Sequence, residues 1–517
     1  MAAATRIKHI LVVGGGTAGW LSACHLARHL QCQQPGSVQV TLLESADIPT
    51  IGVGEGTVPA IRQSLQHLGI SETDFIRECD ATFKQGIKFV GWRKANGGQR
   101  HHYYHPFDYP EQQPIALTPY YLLKPGPDNY VNRLTIQGQV CDAGLAPKTI
   151  SPPEYDGLCN YAYHLDAARF AAFLTRHATE KLGVNHIKAN VSAVRQNADG
   201  SIASVMTDSV GEVSADFFVD CTGFRSLLLG DTLQVPFISK NDILLADNAV
   251  ALQMPYATAD SPIASYTIAS AQNAGWIWDI GLSKRRGTGY VYSSQFADAE
   301  TAEQTLRQYL GPAAAELPCR HIPMQVGYRQ SFWQKNCVAI GLSQGFVEPL
   351  EATGLLVYDA AARYLAEILP LDTRLLAAAA AEFDQHVHYA WDRVIDFIKL
   401  HYLLSDLDDI GFWHANRLPE TVPASLQTKL ERWQQQLPSQ YDFASRFEIF
   451  NLDNYLYVLY GMDFYTDLTL RQSCYPHGAA AERYFGQIRQ QASQAVRQLP
   501  AHRQLLAQIQ QYRLQTI

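Results

Sequence analysis

Gly14, Gly16 and Gly19 form a G-x-G-x-x-G pattern directly after the apolar run Ile10 to Val13, and Glu44 closes the next apolar run, Val38 to Leu43. Residues of these types at this spacing can hold a dinucleotide. Gly14 permits a tight turn, Gly16 lets a pyrophosphate approach the backbone, and Gly19 lets the following helix pack close to the strand. The first N–H groups of that helix, from Thr17 and Ala18 onward, and its positive dipole end would meet the phosphates. Glu44 would accept hydrogen bonds from the adenosine ribose. The motif alone fits NAD or FAD. The late segments Asp220-Cys221-Thr222-Gly223 and Gly341-Leu342-Ser343, together with the single fingerprint, favour FAD without a nicotinamide domain in the same chain.

A second kind of chemistry is suggested by aromatic residues. Trp276 and Trp278 are two apart in a strand-like run, which puts both indoles on one face. Clusters at His101-His102-Tyr103-Tyr104-His105-Pro106-Phe107 and at Tyr455, Tyr457, Tyr460, Met462 and Phe464 could wall a flat substrate, or could be ordinary core. The histidines show no H-E-x-x-H spacing, and the nine cysteines form no C-x-x-C pair and no ligand-spaced cluster with His, so no metal site is expected. Ser226 and Ser343 lack a G-x-S-x-G context, which leaves a hydrolase triad unsupported.

These residues need elements to position them. The first fifty residues read as strand, turn, helix, strand, and residues 189–220 as a β-meander turning at Asn197-Ala198-Asp199-Gly200. The 93–155 stretch is rich in Tyr, His and Pro and poorly periodic, 230–330 alternates strand-like runs, and the chain beyond about 370 is mostly helical. The expected fold is α/β. A discontinuous Rossmann-like FAD core of the two-dinucleotide type comprises 1–92, 155–230 and 331–370. It carries a mixed-sheet substrate lobe (93–154 and 231–330) and is followed by a mostly helical C-terminal region (371–517).

Composition narrows the function classes. The 517 residues are 17% charged and 47% hydrophobic with net charge −8, a globular balance without the basic surplus that nucleic-acid binding requires. No run approaches the ~20 apolar residues of a membrane span, and no signal-like segment opens the chain. With cysteines that read as small core residues, a soluble cytoplasmic protein with neither nucleic-acid nor membrane partners is expected.

Four segments in order resemble the flavin-dependent tryptophan halogenase family. They are Gly14 to Trp20; Gly52-Val53-Gly54-Glu55-Gly56-Thr57-Val58-Pro59 with Ala81-Thr82-Phe83-Lys84; Gly275-Trp276-Ile277-Trp278-Asp279-Ile280; and Gly341 to Gly354, containing Glu348-Pro349-Leu350-Glu351-Ala352-Thr353-Gly354. The resemblance implies that reduced FAD, supplied as FADH₂ by a separate NAD(P)H-dependent flavin reductase, reacts with O₂ and chloride or bromide to give hypohalous acid. That oxidant then halogenates a small electron-rich aromatic substrate, indole or tryptophan-like. Lys84 matches the lysine that meets the oxidant, as a hydrogen-bonding ammonium or as an amine that forms a haloamine. Glu351 matches the second catalytic residue. Thr353 and Gly354 match the halide site, Leu342 and Leu355 flavin contacts, and Val191 a contact to the adenosine end. Trp276 and Trp278 match the barrier between substrate and flavin, and Tyr455 and Tyr460 stand where the family places part of its substrate wall. Gly281 replaces the family's usual Pro, which frees φ, restores an N–H and predicts a looser strap. A homodimer is left open. Two other readings share the fold: an aromatic hydroxylase, disfavoured by Gly341-Leu342 where such enzymes carry Gly-Asp, and a non-catalytic flavin-binding protein.

Overall fold

The computed structural model describes residues 6–47, 54–95, 98–110, 114–408, 410–443 and 445–516. Gly52 and Val53 of the second family-like segment lie outside them. The nucleotide-binding core is a six-stranded sheet in the order Trp333–Gln334, Cys337–Ala339, Phe217–Asp220, His9–Val13, Gln39–Glu44, Asn185–Lys188. All neighbours run parallel except the Trp333–Gln334 edge. Ile10, Leu11, Val12 and Val13 are all buried, as befits a parallel strand covered on both faces, which is why the run shows no alternation in the sequence. The meander packs beside it as an antiparallel three-stranded sheet of Val191–Gln196, Ile202–Thr207 and Glu212–Ser214.

A second, seven-stranded sheet follows the order Cys319–Pro323, Asn248–Pro255, Arg285–Tyr292, Gly275–Gly281, Thr267–Gln272, Gly86–Val90, His102–Pro106. Gly86–Val90 and His102–Pro106, on either side of the expected boundary at residue 92, are paired here residue for residue from Gly86↔Pro106 to Val90↔His102. A small sheet of Gly54–Gly56, Ala162–Asp166 and Thr82–Lys84 carries the lysine of interest.

Two helices of the nucleotide-binding core pack against each other. Thr17–His29 opens from the glycine fingerprint, and Thr353–Ile368 follows the last family-like segment. They are tied by a buried contact in which Asp359 faces His25 Nε2 at 2.8 Å and accepts from Ser64 Oγ at 2.5 Å. Leu376–Leu403, 28 residues long, then brings its last two turns back over the second sheet, and Leu452–Gly461 packs against the His102–Pro106 strand. Among the described residues, no helix is long and apolar enough to cross a membrane.

Candidate active site

The glycine fingerprint adopts the geometry its spacing demands. Gly14 has φ +114°, and a side chain there would run into the Cys221 carbonyl; one at Gly19 would meet the Gly14 carbonyl at 1.9 Å. Both glycines therefore serve the protein's own packing. Gly16 differs: its φ is −71°, open to any L-residue, and a Cβ would meet nothing within 4 Å. The space is left over the N-terminus of Thr17–His29, whose first turn carries no acidic residue and no side-chain cap. Its unpaired N–H groups thus suit a pyrophosphate. The Glu44 carboxylate lies under Gly15, where a Cβ would overlap its Oε2, and pairs with His186 at 2.8 Å. Ala189 donates to the Glu44 carbonyl, which sets Val191 close to this end of the cradle. The Gly341–Ser343 turn closes in from the other side: Gly341 has φ +86°, and a Cβ would lie 2.7 Å from that of Ala18. These residues fit a dinucleotide, with Leu342 half-buried beside them and Leu355 in the first turn of Thr353–Ile368.

Lys84 is fully buried, paired opposite Ala162 at the end of its strand. Its Nζ donates to the Thr57 carbonyl at 3.0 Å and lies 5.3 Å from the centre of the Phe107 ring. A Cβ on Gly56 would approach it to 3.3 Å, so glycine there leaves room for the ammonium. Burial pulls the lysine down to about 8, although the Glu351 carboxylate pulls the other way.

Glu351 does not sit in a helical first turn. It precedes Ala352, which takes a left-handed φ of 56° and starts the helix without a side-chain cap. Its buried carboxylate faces two imidazoles. His105 Nδ1 is 2.8 Å from Oε2, and His401 Nε2 is 3.0 Å from Oε1, within ion-pair distance though not aligned as a hydrogen bond. Burial works to raise the Glu351 carboxyl, but His105 and His401 outweigh it and hold it at about 2.

The next contacts out settle which nitrogens carry protons. The Asn451 N–H donates to Asn454 Oδ1 at 2.9 Å, so the Asn454 amide nitrogen is the group 2.9 Å from His105 Nε2. His105 Nε2 must therefore accept, leaving the proton on Nδ1 toward Glu351. On the other side Tyr103 Oη lies 2.6 Å from His401 Nδ1. A carboxylate only accepts, so His401 points Nε2–H toward Glu351 and accepts the Tyr103 hydroxyl's hydrogen bond on Nδ1. Burial pushes His401 below its usual range. The chain of contacts Tyr103–His401–Glu351–His105–Asn454 thus encloses one carboxylate.

Trp276 and Trp278 share one face of Gly275–Gly281, both buried. The Trp278 ring lies across Gly289 on the next strand, where any side chain would collide with it. Trp276 Nε1 donates to Glu348 Oε2 at 3.0 Å, which also accepts from Tyr402 Oη at 2.7 Å. Burial lifts the Glu348 carboxyl to about 7. Tyr402 follows His401, and Glu348 precedes Glu351 by one turn of chain, so the end of Leu376–Leu403 grips both carboxylates of one loop. Gly281, which stands where the family usually has Pro, is held by regular contacts. Gly281 pairs with Arg286 in the regular ladder, its carbonyl accepts from Thr82 Oγ1 at 2.5 Å, and Ile263 and Tyr256 close the space a side chain would need.

Other expected positions are placed as follows. Thr353 and Gly354 form the open N-terminus of Thr353–Ile368; Thr353 Oγ1 is buried and has no hydrogen-bond partner among the described residues. Tyr455 and Tyr460 are not brought to Lys84 or Glu351: Tyr455 packs on Phe397, Phe443 and Trp433, and Tyr460 bonds Thr466 Oγ1 at 3.0 Å and packs on Tyr130. Their helix reaches the site through Asn454 instead. His105, His401, Tyr103, Asn454, Glu348 and Tyr402 were not singled out from the sequence as site residues. The available signal was alternation in His101 to Phe107, which sends Tyr103 and His105 to one face and Tyr104 to the other, where it bonds Asp142.

A glycine cradle shaped for a dinucleotide, joined through a tryptophan-bearing strand to a buried lysine and an ionised, histidine-clamped carboxylate, defines a flavoenzyme-type oxidoreductase. The comparisons narrow this class. The sequence profile of the family described as tryptophan halogenase matches residues 9–473. Tryptophan 6-halogenase SttH of Streptomyces toxytricini is 36% identical, the alignment covering 96% of this chain and 97% of that one. Tryptophan 7-halogenase RebH of Lentzea aerocolonigenes is 35% identical over 97% and 99%. The crystal structure of a tryptophan halogenase from Shewanella frigidimarina superposes with a TM-score of 0.94 at 41% identity, covering 99% of both chains. The chain belongs to the tryptophan halogenase family and is a flavin-dependent halogenase.

Proposed function

We propose that this enzyme halogenates the ring of tryptophan or a closely related indole, with Lys84 and Glu351 as its catalytic residues. The observation that carries this reading is a fully buried lysine, held below its usual range by burial, that feels the charge of a carboxylate set between His105 and His401. Bound reduced FAD would supply two electrons to O₂, and the oxygen so activated would convert chloride or bromide to hypohalous acid, with water as the other product. Gly14, Gly16, Thr17, Ala18, Gly19 and Glu44 would hold its dinucleotide, with Val191 at the adenosine end and Leu342 and Leu355 at the flavin. Thr353 and Gly354 would present N–H groups to halide, a role supported by the uncapped helix start. A separate NAD(P)H-dependent reductase would provide the reduced flavin in the cytoplasm, in keeping with nine free cysteines.

At the ring, the Lys84 ammonium donates to the oxygen of hypohalous acid and makes it a better leaving group. The halogen passes to a ring carbon, and the oxygen departs as water with the lysine proton. The resulting cation sits beside the Glu351 carboxylate, whose charge stabilises it and which takes the ring proton. A protonated ring carbon is a strong acid, so a carboxylate held near 2 is basic enough. Returning that proton to Lys84 closes the cycle: hypohalous acid and arene become haloarene and water.

The test supplies FADH₂ through a reductase, with O₂ and either halide, to a panel of tryptophan, substituted indoles and phenols. Products carrying a chlorine or bromine isotope pattern are expected from tryptophan or an indole. Hydrogen peroxide alone from every substrate, or an oxygenated product instead, would overturn the reading.

A further inference from the structure

A second group of chemistry-bearing side chains lies at the far edge of the seven-stranded sheet. Cys319 and His321 alternate along the edge strand Cys319–Pro323, paired opposite Leu252 and Val250, and so project to the same side. The helix Ala299–Leu310 covers that side, burying Ala302 and Leu306 and carrying Glu303 at its flank. His321 Nε2 lies 3.0 Å from Glu303 Oε2, and the ligand atoms of Glu303, Cys319 and His321 all fall within 4.8 Å of one another.

We infer that Glu303, Cys319 and His321 form a site for a borderline-soft divalent cation of the zinc class, stapling the helix to the sheet edge. A thiolate, an imidazole and a carboxylate are the donors zinc selects. Tetrahedral coordination at bond lengths of about 2.0–2.3 Å separates ligand atoms by roughly 3.3–3.6 Å, so small side-chain rotations bring this trio into place. Arg307 pre-arranges it. Its Nη2 and Nε donate to Glu303 Oε1 at 2.7 and 2.9 Å, which leaves Oε2 for the metal. The same guanidinium bonds the carbonyls of Ala314, Ala315 and Leu317, fixing the connection that leads into the strand. His321 is exposed, which leaves a fourth position for water.

Binding would release the Cys319 thiol proton to solvent and replace the His321–Glu303 hydrogen bond with two metal bonds, the imidazole proton moving to Nδ1. Linear spacing conceals the trio, because Cys319-x-His321 supplies two ligands and the third comes from the preceding helix.

The test titrates the full chain, reduced and without chelator, with Co²⁺ alone and then displaces it with Zn²⁺. One equivalent should give a thiolate-to-cobalt charge-transfer band in the near ultraviolet, lost on adding zinc. Cys319→Ser should abolish the band, and His321→Ala, a surface change, should weaken binding at least tenfold. The melting temperature should rise with zinc in the wild type and not in Cys319→Ser. No charge-transfer band, or a band of unchanged intensity and affinity in both variants, as binding at the exposed Cys474 would give, overturns the site.

Discussion

Lys84 and Glu351 lean in opposite directions for identifiable reasons, and the pH profile should show it. Lys84 is held at about 8 by burial, so its ammonium is lost as pH rises through 8, and halogenation should fall along that limb. Glu351 at about 2 stays ionised throughout the working range, so it should add no acid limb above pH 5. Lys84→Arg, which cannot lose its proton there, should remove the alkaline limb while lowering kcat. His401→Phe takes away one of the two groups that oppose the burial of Glu351. Leaving a buried charged acceptor short of a partner costs about 1–3 kcal/mol or more, so kcat should drop about tenfold to a hundredfold, and an acid limb should move up into the measurable range. A variant that merely loosened packing would lower kcat without moving that limb. The motif segments made Lys84 and Glu351 legible in the sequence; their partners were not. His401 comes from the end of a long helix whose pattern reads as core, and Asn454 from a helix where the tyrosines drew attention.

At the scale of elements, the glycine turn and the tryptophan strap make separable predictions. Gly14 and Gly19 are glycine because the chain crowds them, whereas Gly16 faces open space at an ordinary φ. Gly16→Ala should therefore leave the melting temperature of the cofactor-free protein unchanged while weakening FAD binding, measured by flavin fluorescence; Gly14→Ala should damage folding itself. An equal loss of stability in both would show that Gly16 serves packing alone. The strap is anchored by Glu348, which ties Trp276 to the loop carrying Glu351. Glu348→Ala leaves the Trp276 N–H and Tyr402 hydroxyl without their acceptor, at about 1–3 kcal/mol for each buried orphan. Less halogenated product per FADH₂ consumed is expected, with the remainder recovered as peroxide or free oxidant. Unchanged coupling would detach the strap from the site. The His102–Pro106 strand was hard to see in the sequence because Tyr103, Tyr104, His105 and Pro106 are all buried. With both faces covered, burial does not alternate along the strand, and only the alternating direction of the side chains remains as a signal.

Over the whole molecule, the order of motifs along the chain made the composite α/β architecture legible, since the central strands His9–Val13, Phe217–Asp220 and Cys337–Ala339 each lead into a recognisable segment. What the sequence withheld is long-range: the Asp359 contact that locks the fingerprint helix to the Thr353–Ile368 helix joins residues 334 positions apart. That arrangement places the dinucleotide cradle and the buried lysine in one rigid framework, joined by the strap and its Glu348 anchor. The account stands on Lys84 as the residue through which oxidant reaches the ring. The direct measurement compares wild type with Lys84→Ala under identical FADH₂, O₂ and chloride, following substrate by mass spectrometry and escaping oxidant with an added scavenger. The wild type should give chlorinated indole; Lys84→Ala should bind FAD and consume FADH₂ normally yet give at least a hundredfold less product. Chlorinated product at the wild-type rate from Lys84→Ala would contradict the account.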